Sequence, residues 1–405
     1  MTRTRTRDLR IILILGALST VSPFSIDMYL PAFPQIAQDL GTTPAEISLS
    51  VAGYFIGLAV GQLFYGPLLD RFGRKLPICA GLVLFILASL ACLTARSPKF
   101  FIAARLLQAL GGCAAQVGST AMVRDYFPVE ESAKIISLLI LVLSVSPLFA
   151  PTVGGFVATS AGWQWIFLIL AAFALLVIAL TALLPEGHKP DPSISLRPSA
   201  MLRGFAEVIG EPRFYTYAFA GAFSFAGLFV YVTGSPIIFL DGFHVDPRTY
   251  GLIFAGLAAS CIGAAQLNIW LTRRYSGDAI FRAAVIGQAL VMAVTFIGTA
   301  LDWFGLAANI ILLLLYLGFC GPSFPNAAAM ALAPFSKNVG SASALLGFIQ
   351  MGIGALASTG VGLLHASTSL PIYAVMAATA VIGLVILLAN QKRIGMRPVP
   401  RMSDI

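Results

Sequence analysis

The stretch Gly66-Pro67-Leu68-Leu69-Asp70-Arg71-Phe72-Gly73-Arg74-Lys75 sets four charged side chains and two glycines between two long apolar runs. Asp70 and Arg74 are four residues apart, so they meet if the preceding helix persists that far. Gly73 permits a tight turn. Gly66 offers a place where another helix can approach closely. A plain connection between membrane helices needs basic residues, but not this fixed order of acid, base and glycine.

Outward from this loop the chain is apolar in both directions. Of its 405 residues 58% are hydrophobic and 10% are charged, and the mean hydropathy is +0.90. Soluble chains run nearer 45–50% apolar and about 25% charged. So few charges cannot cover a surface in water, which excludes a soluble enzyme, a secreted disulfide scaffold and a disordered regulator. The net charge of +8 would suit nucleic acid only if basic residues clustered on a solvent face. They fall instead in short gaps between apolar runs, so the expected partner is the lipid bilayer and not nucleic acid. Cys79, Cys92, Cys113, Cys261 and Cys320 lie inside apolar stretches with no C-x-x-C pair. They read as small buried residues, with neither a metal site nor a disulfide framework expected.

A helix needs about 20 mostly apolar residues to cross the hydrocarbon. Breaks at charges and Pro/Gly clusters give twelve spans, near 10–35, 46–69, 76–95, 100–124, 134–160, 163–184, 213–240, 249–272, 280–300, 306–332, 339–365 and 370–390. The basic N-terminus (Arg3, Arg5, Arg7, Arg10) before the first run reads as the flank of an uncleaved span. With both termini cytoplasmic, 21 of the 25 Lys and Arg residues fall on the inner side. Arg96, Lys99 and Arg248 fall outside, and Arg105 lies within span four. That asymmetry is the positive-inside pattern, and losing one span would scramble it. Residues 185–212 carry Pro185, Pro190, Pro192 and Pro198 with charges of both signs. This suits a cytoplasmic linker between an N-terminal six-helix bundle (1–184) and a C-terminal one (213–405) that ends in a short cytoplasmic tail. A faint repeat at an offset of 202 pairs Gly61, Leu69 and Arg71 with Gly263, Leu271 and Arg273. The expected fold is all-α, twelve transmembrane helices in two halves.

Three further segments carry chemistry. Asp27, in Pro23-Phe-Ser-Ile-Asp27-Met-Tyr29-Leu-Pro31-Ala-Phe-Pro34, is the one acidic residue this topology places inside a span. In span four, Arg105, Gln108, Gly112, Gln116 and Ser119 recur every three to four residues and form one polar stripe. A charge there is expensive, so it marks a functional site or a side chain that snorkels outward. Span five carries Pro147, Ala150, Pro151, Gly154 and Gly155, in which the prolines bend the helix and the glycines allow close packing.

The loop spacing G-x-L-x-D-R-x-G-R-K resembles the signature loop of the major facilitator superfamily. The resemblance implies a conformational latch among Gly66, Asp70, Arg71, Gly73, Arg74 and Asp125. The second-half counterpart has Thr272 where Asp70 would be and looks degenerate. The helix-four run resembles that superfamily's R-x-x-Q-G motif with Ala109 in place of glycine, which implies proton coupling through Arg105. Span five resembles the antiporter motif G-P-x-x-G-G with Ala150 for the first glycine, which implies exchange rather than uniport. Ser-Ile-Asp-Met-Tyr-Leu-Pro-Ala-Phe-Pro resembles the first helix of the bicyclomycin-resistance (Bcr/CflA) family of drug:proton antiporters. The likeness continues through Met122-Val-Arg124-Asp125 and Phe223-Ser-Phe-Ala-Gly.

The expectation is a proton-coupled multidrug exporter of small, partly apolar organic compounds, working by alternating access. Asp27 and Arg105 would handle the proton, whose gradient supplies the energy with no cofactor. Tyr29, Tyr54, Gln116, Phe225, Tyr231, Asn326 and Gln350 are the candidate substrate contacts. The implied home is the bacterial inner membrane and the implied state a monomer. A proton-coupled carrier narrow for a metabolite or sugar would share the fold but needs a more polar pocket. An enzyme is not expected. His188, His244 and His365 lie in or near loops, and neither H-E-x-x-H nor G-x-S-x-G occurs.

Overall fold

The structure, a computed structural model, describes residues 2–127, 129–185, 187, 190–192, 205–335, 339–364 and 368–390. Part of the expected linker (186, 188, 189 and 193–204), His188, His365 and the C-terminal tail from 391 lie outside the described residues.

Among the described residues twelve long helices stand at the twelve expected positions: α1 (Thr2–Asp27), α2 (Pro44–Phe72), α3 (Lys75–Leu93), α4 (Pro98–Tyr126), α5 (Val129–Ser160), α6 (Gln164–Ala182), α7 (Pro212–Pro236), α8 (Pro247–Leu271), α9 (Gly277–Ala300), α10 (Leu306–Leu332), α11 (Val339–Leu363) and α12 (Ser369–Asn390). Among the described residues eleven stretches are long and apolar enough to cross a membrane, by length and composition, and α5 is the remaining long helix. The five cysteines are free.

Local chemistry sets the ends. Thr43 and Ser97 cap α2 and α4 by accepting from the Glu46 and Phe100 amides at 3.2 and 3.4 Å, each followed by a proline at the first helical position. Gly73 ends α2 at φ 80°, a conformation that side chains with a Cβ rarely adopt. The first span is not continuous as expected. α1 stops at Asp27, a single 3₁₀ turn covers Leu30–Ala32, and a short helix follows at Phe33–Asp39. Pro31 and Pro34 lack the amide hydrogens a continuing helix would need.

By packing the chain forms two compact units. The first holds Met1–Arg197 and Ser235–Ala255, and the second Pro198–Gly234 and Gly256–Ile405. In the first, α4 packs against α1, α2 and α3. At Gly81 and Gly111 the α3 and α4 backbones touch: a Cβ on Gly111 would lie 2.4 Å from the Gly81 carbonyl oxygen. In the second, Val208, Phe214, Tyr217, Phe281, Val285, Leu345 and Leu346 share one buried cluster. Gln288 of α9, fully buried, accepts from Ser224 Oγ of α7 at 2.7 Å.

Candidate transport site

In the first unit Arg105 is completely buried, so it does not snorkel to a surface. Its guanidinium lies between two tyrosine rings, 4.2 Å from the Tyr29 centroid and 4.4 Å from that of Tyr54. Nη1 donates to Ser25 Oγ at 2.7 Å and to Gln108 Oε1, and Nη2 donates to the Ser25 carbonyl at 2.9 Å. Gln108 is held in turn by donating to Ser89 Oγ of α3 at 2.7 Å. Tyr29 shares a 2.8 Å hydrogen bond with Ser50 of α2. A planar cation suits this cage, because its faces meet π-clouds while its edge meets oxygen acceptors.

Asp27 is 5% exposed, and its carboxyl has neither a hydrogen-bond nor an ion-pair partner among the described residues. The two buried charges of the expected proton site are therefore not paired with each other. Arg105 directs its donors to Ser25 and Gln108, two residues before Asp27 and three after Arg105 itself.

The Pro-Gly segment of α5 lies against the break that follows Asp27. A Cβ on Gly154 would fall 1.7 Å from the Met28 carbonyl oxygen. Gly155 faces the start of α8, where a Cβ would sit 2.7 Å from the Pro247 carbonyl oxygen, and Gly251 of α8 faces Thr152. Pro147 and Pro151 lie within α5. Tyr250, also from α8, is fully buried and shares a 2.8 Å hydrogen bond with Ser235.

Three residues of the expected latch, Asp70, Arg74 and Asp125, are in contact. Arg74 Nε donates to Asp125 Oδ2 at 2.7 Å and Nη2 to Oδ1 at 3.3 Å, a two-point grip, while Nη1 meets Asp70 Oδ1 at 2.5 Å. Burial works against the Arg74 charge, but hydrogen bonds to Asp125 and Asp70 outweigh it and hold the guanidinium above the usual arginine value. Arg71 lies over its neighbour Phe72 at 5.8 Å. No described atom lies within 4 Å of where a Cβ on Gly66 would be. The Arg74 and Asp125 side chains are 10% and 11% exposed, whereas that of Asp70 is 47% exposed. Asp125→Asn is thus expected to destabilise by about 3 kcal/mol, as a buried pair does when broken. Asp70→Asn should cost under about 1 kcal/mol. Chemical unfolding of the two purified variants checks the order.

The pocket candidates divide by environment. Tyr29 and Tyr54 form walls of the Arg105 cage. Gln116, half-buried, has no partner for Oε1. In the second unit Asn326 donates to Asn268 Oδ1 and the Pro322 carbonyl, each at 2.7 Å, tying α10 to α8. Phe225 stacks among aromatic rings, Tyr231 is buried, and Gln350 is buried with a free amide. Sequence reading missed Ser25 and Ser89, which give no signal beyond being small and polar. It also missed an ion pair of the second unit: Arg282 Nη2 to Asp278 Oδ2 at 2.9 Å, with Tyr217 donating to Asp278 Oδ1 at 2.7 Å. The i, i+4 spacing of Asp278 and Arg282 could have flagged it.

Helices of this number and length define a multi-pass helical membrane protein. The sequence profile of the Major Facilitator Superfamily matches residues 15–358. A bicyclomycin resistance protein homolog of Haemophilus influenzae is 33% identical, over 92% of this chain and 93% of its own. A multidrug resistance protein MdtL of Klebsiella pneumoniae is 27% identical, over 84% and 86%. Among solved structures, a D-xylose–proton symporter superposes with a TM-score of 0.71 at 15% identity, covering 98% of both chains. The xylose transporter XylE of E. coli, partially occluded and inward open, gives 0.72 at 14%, covering 94% and 97%. At such identity these two speak for the fold alone. The chain belongs to the Major Facilitator Superfamily and, within it, to the bicyclomycin-resistance (Bcr/CflA) family.

Proposed function

We propose that this chain is a proton-driven exporter of small, partly apolar organic compounds, acting by alternating access as a monomer. It sits in the bacterial inner membrane with both termini cytoplasmic, an orientation that the inside-weighted Lys and Arg support. The observation that carries the reading is Asp27: a buried carboxyl without a counter-ion, at a helix break, with the Pro-Gly segment of α5 seated on the next peptide. Such a group can take up a proton from one side and release it to the other as the surrounding helices move. The relatives named for bicyclomycin and multidrug resistance support drug-like compounds as cargo.

In this reading substrate entry from the cytoplasmic side favours proton loss from Asp27. Arg105, held rigidly by Ser25 and Gln108, keeps the site's electrostatics fixed while that proton moves. The Arg74 grip on Asp70 and Asp125 stabilises one end state. One proton moving across 100 mV carries about 2.3 kcal/mol. At about 1.4 kcal/mol per decade this sustains a gradient of roughly 50-fold, so one site suffices for useful export.

The test is a drug-susceptibility and dye-efflux panel on cells expressing the protein, with and without a protonophore. The reading predicts raised tolerance and efflux for at least one amphiphilic compound, both lost when the protonophore is added. Protonophore-insensitive efflux, or none for any compound, contradicts it.

A further inference from the structure

α7 together with the turn after it is the most enclosed of the candidate spans, with 83% of its most apolar window buried. Phe225, near the middle of that helix, is nevertheless only half-buried. Its ring centroid lies 5.2 Å from that of Phe324 on α10, tilted by 40°, and 5.6 Å from Phe229 at 82°. Phe229 is fixed, because it occupies the space that a side chain on Gly354 of α11 would need: a Cβ there would be 2.2 Å from its ring. Phe324 is also half-buried and is presented between Pro322 and Pro325, where α10 loses ladder hydrogen bonds. Two partly open ring faces thus adjoin, one on the largely enclosed α7 and one on α10, whose apolar window is 44% buried. Offset or tilted stacking with a third ring would complete them.

A polar group stands at the same level. Phe214 and Tyr217 near the start of α7 share a buried cluster with Leu345 and Leu346 near the start of α11, so the two helices run in the same direction. Gln350 lies one turn before Gly354, as Phe225 lies one turn before Phe229. Gln350 is 5% exposed, and its amide has no hydrogen-bond partner among the described residues. An accessible amide with no partner inside the protein is open to a hydrogen bond from a ligand atom. The buried charged side chains among the described residues, Asp27, Arg74 and Arg105, all belong to the first unit.

From this we infer that Phe225, Phe324 and Gln350 form a subsite for an uncharged, planar aromatic group bearing a hydrogen-bonding atom. The inference rests on the exporter reading and names the substrate class that reading leaves open. Phe324 is its new specificity residue.

The probe is 7-amino-4-methylcoumarin, a neutral planar ring with donor and acceptor atoms. Its equilibrium binding to the purified full chain in nanodiscs is read by fluorescence anisotropy, with no gradient present. Saturable binding is expected. Phe324→Leu and Gln350→Leu should each raise Kd by about 5- to 10-fold, as loss of a stacked ring or of a buried hydrogen bond does. Phe324→Tyr should stay within about twofold, since it keeps the ring. Thermal melting of each variant reports whether it is folded. Failure of the wild type to bind saturably, or a Phe324→Leu affinity equal to wild type, overturns the subsite. Binding as expected alongside protonophore-insensitive efflux would instead leave the subsite standing and overturn the exporter reading.

Discussion

Gly154→Ala is expected to abolish transport. The new methyl would fall 1.7 Å from the Met28 carbonyl oxygen and 2.7 Å from its carbon, both backbone atoms that no rotamer change can clear. Either α5 moves away or the Asp27–Met28 segment does, and the second choice displaces the one buried carboxyl of the site. Overpacking of this kind costs about 1–3 kcal/mol where neighbours can shift. Here the neighbour is a main chain already broken by Pro31, so the cost should reach the upper end. Efflux should fall to the level of empty cells while protein remains detectable in membranes at reduced melting temperature. Gly155→Ala, at 2.7 Å from the Pro247 carbonyl oxygen, should show a milder loss in the same assay.

Arg105→Ala carries the second large effect, on stability. The change removes a charge that satisfies the Ser25 hydroxyl and carbonyl and Gln108, and empties the gap between the Tyr29 and Tyr54 rings. Removing one member of a buried charged network costs about 3–5 kcal/mol, because its partners are left without hydrogen bonds. Arg105→Lys keeps the charge but not the planar fork, so it cannot serve both acceptors while stacking between two rings. It should recover part of the melting temperature and little of the efflux. A Lys variant with full efflux would mean that charge alone matters there.

The helices were legible because a membrane leaves few alternatives. Apolar runs of the right length, divided by the Arg71–Lys75 cluster and its equivalents, place the spans to within a few residues. The Arg74–Asp70 contact was legible because the two sit four apart with a glycine turn between them. Asp125, distant in sequence, was reached through resemblance, and the two-point hydrogen bond from Arg74 gives it physical content. What sequence could not give was direction. The stripe of Arg105, Gln108 and Gln116 reads as facing a cavity, and Arg105 enters an aromatic cage built from Tyr29 in the turn after α1, Tyr54 of α2 and Phe167 of α6. Spacing along one helix says which residues share a face, not what the face meets. Nor does the sequence show that the Asn326 amide is bonded to Asn268 of α8. The break after Asp27 was signalled by Pro31 and Pro34, and hydropathy across them hid it.

In the proposed cycle Asp27 carries the proton exchanged for substrate. If so, substrate and proton binding are linked and each must displace the other. The direct measurement is proton release into a weakly buffered solution of purified protein, on saturation with a compound whose efflux a protonophore stops. Wild type should release up to about one proton per chain, and Asp27→Asn none while still binding the compound. Equal release from the Asp27→Asn protein would place the coupling at another residue and rule out Asp27 as the proton carrier.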